Sequence, residues 1–172
     1  MFEKLDEFNY AIDGTPVDCV KFGYIGLDVD FDFVVSGTNN GYNLGIDISY
    51  SGTAGAALQA QYYGMKSIVL SADGKGNRIL IEELDKTLQY VLDRDLLSSD
   101  YTININFPRE KFAHSLGIKE TIIHRQVYKY QPEIVGNKFI PNRKYIVDVD
   151  LPDNSDLKAY VEGYTSISKV LL

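Results

Sequence analysis

The stretch that decides the reading runs from Ser36 to Thr53, SGTNNGYNLGIDISYSGT. Before it lies the short apolar run Phe31 to Val35, with the composition of a buried strand in a mostly parallel sheet. After it come Thr53 to Gln61, small residues and good helix formers apart from Gly55, with Ser51 or Thr53 able to cap the helix start. The loop therefore leaves a strand at its carboxyl end, where open α/β sheets bind ligands. The free N–H groups of the following helix favour an anion there, commonly a phosphate.

Within the loop, Asn39, Asn40 and Asn43 stand among Gly37, Gly41 and Gly45. An amide side chain offers a carbonyl acceptor and two N–H donors, so one can ligate a hard cation while another donates to phosphate. The glycines let backbone and ligand approach closely. An isolated Asn-Gly pair is only a turn signal. Three amides, three glycines and a Ser-Gly-Thr helix start in one segment point to a binding loop.

These residues carry a family likeness. Ser36, Gly37, Asn39, Gly41, Asn43, Leu44 and Gly45, followed by Tyr50, Ser51, Gly52 and Thr53, match the S-G-x-N-x-G-x-N-L-G and Y-S-G-T pattern of the SurE survival-protein nucleotidases, and the chain resembles that family. Gly14, Thr15, Pro16, Asp18, Cys19 and Val20 resemble its G-T-P-x-D-C-V signature. Asn104, Asn106 and Pro108 resemble its N-x-N-x-P strand, and Gly163, Tyr164, Ser166 and Ile167 its G-Y-x-S-I strand. The resemblance implies a three-layer, Rossmann-like α/β fold. It also implies a nucleotidase or acid phosphatase that uses Mg²⁺ or Mn²⁺ to hydrolyse nucleoside monophosphates. Carried over residue by residue, Asn39 is the metal ligand, and Asn43, Ser51, Gly52 and Thr53 hold phosphate.

Two features of the family pattern are not found in the 172 residues: the opening strand with its paired-aspartate N-D-D-G turn, and the C-terminal helical extension. Without the paired carboxylates the isolated chain is expected to be inactive, and a non-catalytic remnant or assembly subunit is the alternative reading. A sheet short of an inner strand exposes apolar surface and edge N–H and C=O groups. Association with itself, as a dimer or tetramer, or with a separately encoded front half is the consequence.

Composition sets the remaining bounds. With 172 residues and 45% hydrophobic content, one SurE-like domain over residues 1–172 has enough apolar material for a core. A formal net charge of −7 argues against a nucleic-acid polymer as partner. The lone Cys19 forms no internal disulfide and reads as a small core residue of a helix opened by Thr15 and Pro16. The start MFEKLDEF has no apolar leader, and no run approaches the roughly 20 apolar residues of a membrane span, so the cytoplasm is the expected setting.

Along the rest of the chain, Tyr10 to Ile12, Ser67 to Ser71 and Thr102 to Phe107 read as strands. Ile79 to Asp95 reads as an amphipathic helix whose stripe Ile81, Leu84, Leu88, Val91 and Leu92 faces the core. Residues 120–150 read as a β-rich excursion, a hairpin or small antiparallel sheet. His114 and His124 each stand alone and read as surface or hydrogen-bonded residues. Asp28, Asp30 and Asp32 lack the spacing of a calcium loop, the turn at residues 73–77 lacks a P-loop's second half, and Ser51 lacks the G-x-S-x-G elbow of a hydrolase.

Overall fold

The computed structural model describes residues 1–27, 29–74, 77–125, 128–145 and 151–172. The chain opens with an antiparallel hairpin of β1 (Phe2–Lys4) and β2 (Tyr10–Ile12), in which Phe2 faces Ile12. Helix α1 (Pro16–Lys21) follows and unwinds into a π-helical turn, Phe22–Gly26. Its start is a capping box: Thr15 accepts from Asp18 N–H, and the Asp18 carboxylate accepts from Thr15 N–H at 2.9 Å. Pro16 occupies the first turn, where its missing N–H costs nothing.

Next come β3 (Val34–Asn40), a 3₁₀ segment (Gly45–Tyr50), α2 (Gly52–Tyr62), β4 (Ser67–Ala72), α3 (Arg78–Asp93) and β5 (Thr102–Asn106). The remainder is β6 (Ile118–Thr121), β7 (Tyr128–Tyr130), β8 (Glu133–Val135), β9 (Lys138–Ile140), β10 (Arg143–Tyr145), α4 (Asp156–Glu162) and β11 (Thr165–Val170). The main sheet has the order β3-β4-β5-β11-β6. Strands β3, β4 and β5 are parallel, β11 runs against β5, and β6 is parallel to β11. Two small antiparallel pairs, β7 with β10 and β8 with β9, form the β-rich excursion.

Alternation along β4 sends successive side chains to opposite faces. Ile68 and Leu70 join Ile103, Ile105 and Val91 on the α3 side, whereas Val69 packs with Ala54 and Ala57 of α2. Helices on both faces make the three layers. Ile103 and Ile105 are 0% exposed, and burying such a side chain stabilises by about 2–3 kcal/mol.

Four expectations change. The strand at residues 31–35 lies instead at Val34–Asn40 and is the edge of the sheet, with Val35 45% exposed. Its apolar residues have neighbours on one side only. Cys19 is exposed and α1 has no buried residue, because that helix lies outside the main core. The buried stripe of α3 is Ile79, Thr87 and Val91 backed by Leu80, Leu84 and Leu88, while Ile81 and Leu92 face solvent. Helix α4 was not expected at all. The turn expected at residues 73–77 and the β-rich excursion expected at 120–150 fall partly outside the described residues. No helix among the described residues is long and apolar enough to cross a membrane.

Candidate functional site

The loop leaves β3 at its carboxyl end and lies over the ends of β4 and β5. Gly37 permits the approach: with φ +143°, a Cβ there would stand 2.6 Å from the Leu70 carbonyl oxygen. Gly41 N–H then bonds the Ala72 carbonyl at 2.9 Å, tying the loop to the end of β4. Leu44, 0% exposed, anchors it in a cluster with Leu151, Leu157 and Tyr160.

Beyond the 3₁₀ segment, Ser51 caps α2, its Oγ accepting from Ala54 N–H at 3.1 Å. The first intrahelical bond runs from Gly55 N–H to the Ser51 carbonyl, so the N–H groups of Gly52 and Thr53 lie ahead of the ladder, at the positive end of the helix dipole. Thr53 Oγ1 donates to Asn39 Oδ1 at 3.3 Å. That bond joins the end of β3 to the start of α2 and brings together three expected site residues, Asn39, Gly52 and Thr53, next to the cap Ser51.

Asn43 has a different place. It is 1% exposed, its Nδ2 donates to Ser71 Oγ at 2.8 Å, and its own N–H donates to Asn106 Oδ1 at 2.9 Å. Its carbonyl receives Asn104 Nδ2 at 2.8 Å and Asn106 Nδ2 at 3.1 Å. The paired asparagines of β5 thus grip the loop backbone from beneath. In this conformation the Asn43 side chain is committed to the inside of the loop instead of an open cleft, because loop polar groups that are buried must find partners in the protein.

A second clamp was invisible to sequence reasoning. Asp156, 0% exposed at the start of α4, accepts Gly45 N–H through Oδ2, and His124 and Leu157 N–H through Oδ1, each at 2.8 Å. Burial holds its carboxyl above the usual value, opposed by these three bonds. Ser155 as N-cap and Gly163 as a left-handed C-cap are the signals that mark α4 in the sequence. His124 is engaged through its backbone.

Beside Leu44, the Tyr42 and Tyr160 rings meet at 4.1 Å, and the Arg109 guanidinium lies 5.1 Å from the Tyr160 ring while donating to its hydroxyl. Burial pushes the Tyr42 hydroxyl above the ordinary phenol range, with the neighbouring Tyr160 hydroxyl adding to the rise. Burial likewise pushes Tyr160 up to about 12, with Tyr42 and Arg109 opposing. These two tyrosines are neutral at pH 7.

The donor set does not by itself fit a divalent cation. Hard cations need several oxygen donors, usually with carboxylates among them. Asn39 offers one neutral amide oxygen, already accepting from Thr53, and no group of three His, Cys, Asp or Glu converges among the described residues.

A mostly parallel α/β sheet flanked by helices, with an amide-rich loop and a helix start at the carboxyl end of its strands, defines an open, doubly wound α/β class of protein. Residues 2–131 match the family model Survival protein SurE, and the chain belongs to that family. It is 39% identical over 182 residues to the 5'-nucleotidase SurE of Aquifex aeolicus, covering 98% of this chain and 71% of the relative. The 5'-nucleotidase SurE of Petrotoga mobilis is 33% identical over 174 residues, covering 94% and 67%. That of Thermoanaerobacter sp. is 36% identical over 172 residues, covering 94% and 66%. The crystal structure of the SurE protein from Aquifex aeolicus superposes with a TM-score of 0.80 at 32% identity, covering 99% of this chain and 73% of that one. The chain thus spans about two thirds of the length of these curated relatives.

Proposed function

We propose that residues 1–172 form the phosphate-holding part of a SurE-type phosphomonoesterase acting on nucleoside monophosphates. The observation that carries the reading is the Thr53–Asn39 hydrogen bond, which sets two free helix-start amides and an amide side chain at the carboxyl edge of the sheet in a member of this family. The names of the relatives, 5'-nucleotidase SurE, support the substrate class.

In this reading the N–H groups of Gly52 and Thr53 donate to phosphoryl oxygens, and the dipole of α2 adds a fixed positive field. Thr53 Oγ1 and Asn39 hold the two sides of the site together, and Ser51 keeps the helix start in shape. Asn43 is a positioning residue, acting through the loop backbone. Hydrolysis breaks the P–O ester bond, with water supplying oxygen to phosphorus and a proton to the leaving alcohol; charge gathers on the transferred oxygens meanwhile. The amides of Gly52 and Thr53 offset part of that charge. Mg²⁺ or Mn²⁺ would need carboxylates from outside residues 1–172, such as the N-D-D-G turn of the family pattern, with Asn39 adding at most one oxygen.

The test is hydrolysis of a nucleoside monophosphate in excess Mn²⁺, by the chain alone and with a polypeptide bearing the N-D-D-G segment. Turnover in the mixture supports the reading. No turnover in the mixture, together with no binding of inorganic phosphate by the chain, overturns it.

A further inference from the structure

Arg109 stands just past the carboxyl end of β5, beyond Asn106, Phe107 and Pro108. The Phe107 N–H bonds the Ser71 carbonyl at 2.9 Å, which ties this segment to the end of β4. The Arg109 guanidinium is half-buried and lies 5.9 Å from the Tyr42 ring centroid and 5.1 Å from that of Tyr160, within cation–π range of both. Its Nε donates to the Tyr160 hydroxyl, and the Tyr42 hydroxyl stands beside it. Tyr42 belongs to the site loop and precedes Asn43, whose backbone is gripped by Asn104 and Asn106.

What this guanidinium lacks is a counter-ion. No carboxylate among the described residues forms an ion pair with it, although the chain has 24 Asp and Glu against 17 Lys and Arg. Asp73, just past β4, interacts with the Tyr42 hydroxyl instead. A partly buried charge ordinarily has a partner, and neither phenol supplies one, since both are neutral at pH 7. With Nε committed to Tyr160 and the plane of the group held against two rings, Nη1 and Nη2 form a fixed fork. That geometry takes two adjacent acceptors at once.

The acceptors follow from position. Asn39 on β3 and Arg109 after β5 are two strands apart, roughly 10 Å at the usual strand spacing. One phosphate does not span that separation, which suits a ligand with phosphate at one end and a base at the other. The base edge best matched to a guanidinium fork is that of a 6-oxopurine, where O6 and N7 are acceptors side by side, whereas adenine sets an N6 donor next to N7. We propose that Arg109 reads the base of the substrate and selects 6-oxopurine nucleoside monophosphates, with Tyr42 and Tyr160 as positioning residues that hold the fork in place. The inference rests on the phosphate reading of the α2 start given above.

The probes are inorganic phosphate, inosine 5'-monophosphate and adenosine 5'-monophosphate, each titrated into the 172-residue chain by calorimetry; the two nucleotides differ at C6 of the base. The inosine nucleotide should bind at least about tenfold tighter than the adenosine one, as a single bidentate pair allows. Arg109→Gln should bring that ratio below about twofold while inorganic phosphate binds as before, because the fork is gone and the start of α2 is untouched. If Arg109→Gln fails to fold, Arg109→Lys, which keeps the charge and lacks the fork, should lose the ratio likewise. Equal affinity for the two nucleotides in a chain that binds inorganic phosphate overturns this proposal alone, and so does a preference that survives both substitutions. Loss of inorganic phosphate in Arg109→Gln puts the residue at the phosphate and overturns it too. No phosphate binding by the unsubstituted chain overturns the reading of the α2 start, and this inference with it.

Discussion

The carboxylate of Asp156 accepts the Gly45 N–H at 2.8 Å, joining residues 111 positions apart in the chain. With its bonds to His124 and Leu157 it fixes the site loop, the segment after β6 and the start of α4 at one buried point. Asp156→Ala leaves three N–H groups without their acceptor. Since a buried unpaired donor costs about 1–3 kcal/mol, the account expects a loss of about 3 kcal/mol in urea unfolding. The pH dependence has a definite sign. Burial raises the folded-state pKa of Asp156 above the ordinary carboxylate value, so the stability linked to its protonated form is fully present below that ordinary value and is lost as pH rises through the raised pKa. Asp156→Asn does not titrate. The wild type should therefore lose stability relative to Asp156→Asn as pH rises through that window, and a constant difference would contradict the assignment.

Asn106 sits beneath the loop and makes two bonds to the backbone of Asn43, one as acceptor and one as donor. Asn106→Ala should cost about 2 kcal/mol by leaving these buried groups short of partners. It should also weaken phosphate binding, although Asn106 is 0% exposed and touches no ligand in this account. Calorimetry on the folded variant separates the two effects. Unchanged phosphate affinity would show that the loop holds its shape without β5.

Gly37→Ala tests the close approach of β3 to β4. The added methyl would stand 2.6 Å from a carbonyl oxygen at φ +143°, so backbone strain and overpacking both apply, and a loss of roughly 2–4 kcal/mol is expected from denaturant unfolding. A neutral outcome would mean that this part of β3 can shift freely.

Residues 1–172 alone should show no turnover of a nucleoside monophosphate in excess Mn²⁺. One neutral amide oxygen that already accepts from Thr53 competes poorly with the hydration of a divalent ion. A steady-state phosphate-release assay decides this; turnover at rates ordinary for enzymes, about 1 s⁻¹ or more, would show that carboxylates from elsewhere are dispensable.

Much of this was legible because composition follows burial. Ser67 to Ala72 is a fully buried strand whose small and β-branched residues say so, and Thr15-Pro16 marks a helix start by a local mechanism that needs no tertiary context. The loop between β3 and α2 was found from its amides and glycines, and Asn39, Gly52 and Thr53 do meet there, with Ser51 as the cap. Other features depend on partners distant in sequence. Phe31 to Val35 has the composition of an inner strand, yet nothing in those residues says that only one side is paired. Asn43 carries the same amide as Asn39, and only the hydrogen bonds with Ser71, Asn104 and Asn106 show that it faces inward. Asp156 lies 111 positions from Gly45 in the chain, and no local pattern marks it as the acceptor of the Gly45 N–H.

The most direct measurement is a titration of ¹⁵N-labelled chain with inorganic phosphate, followed by amide chemical shifts in the wild type and in Thr53→Val, which keeps the side-chain volume but removes Oγ1. The account predicts that the Gly52 and Thr53 amides move together with one dissociation constant, and that Thr53→Val weakens it roughly fivefold, near the ~1 kcal/mol of the neutral Oγ1–Asn39 hydrogen bond that holds the two sides of the site together. Shifts confined to other parts of the chain, or equal affinity in Thr53→Val, would contradict the placement of phosphate at the start of α2.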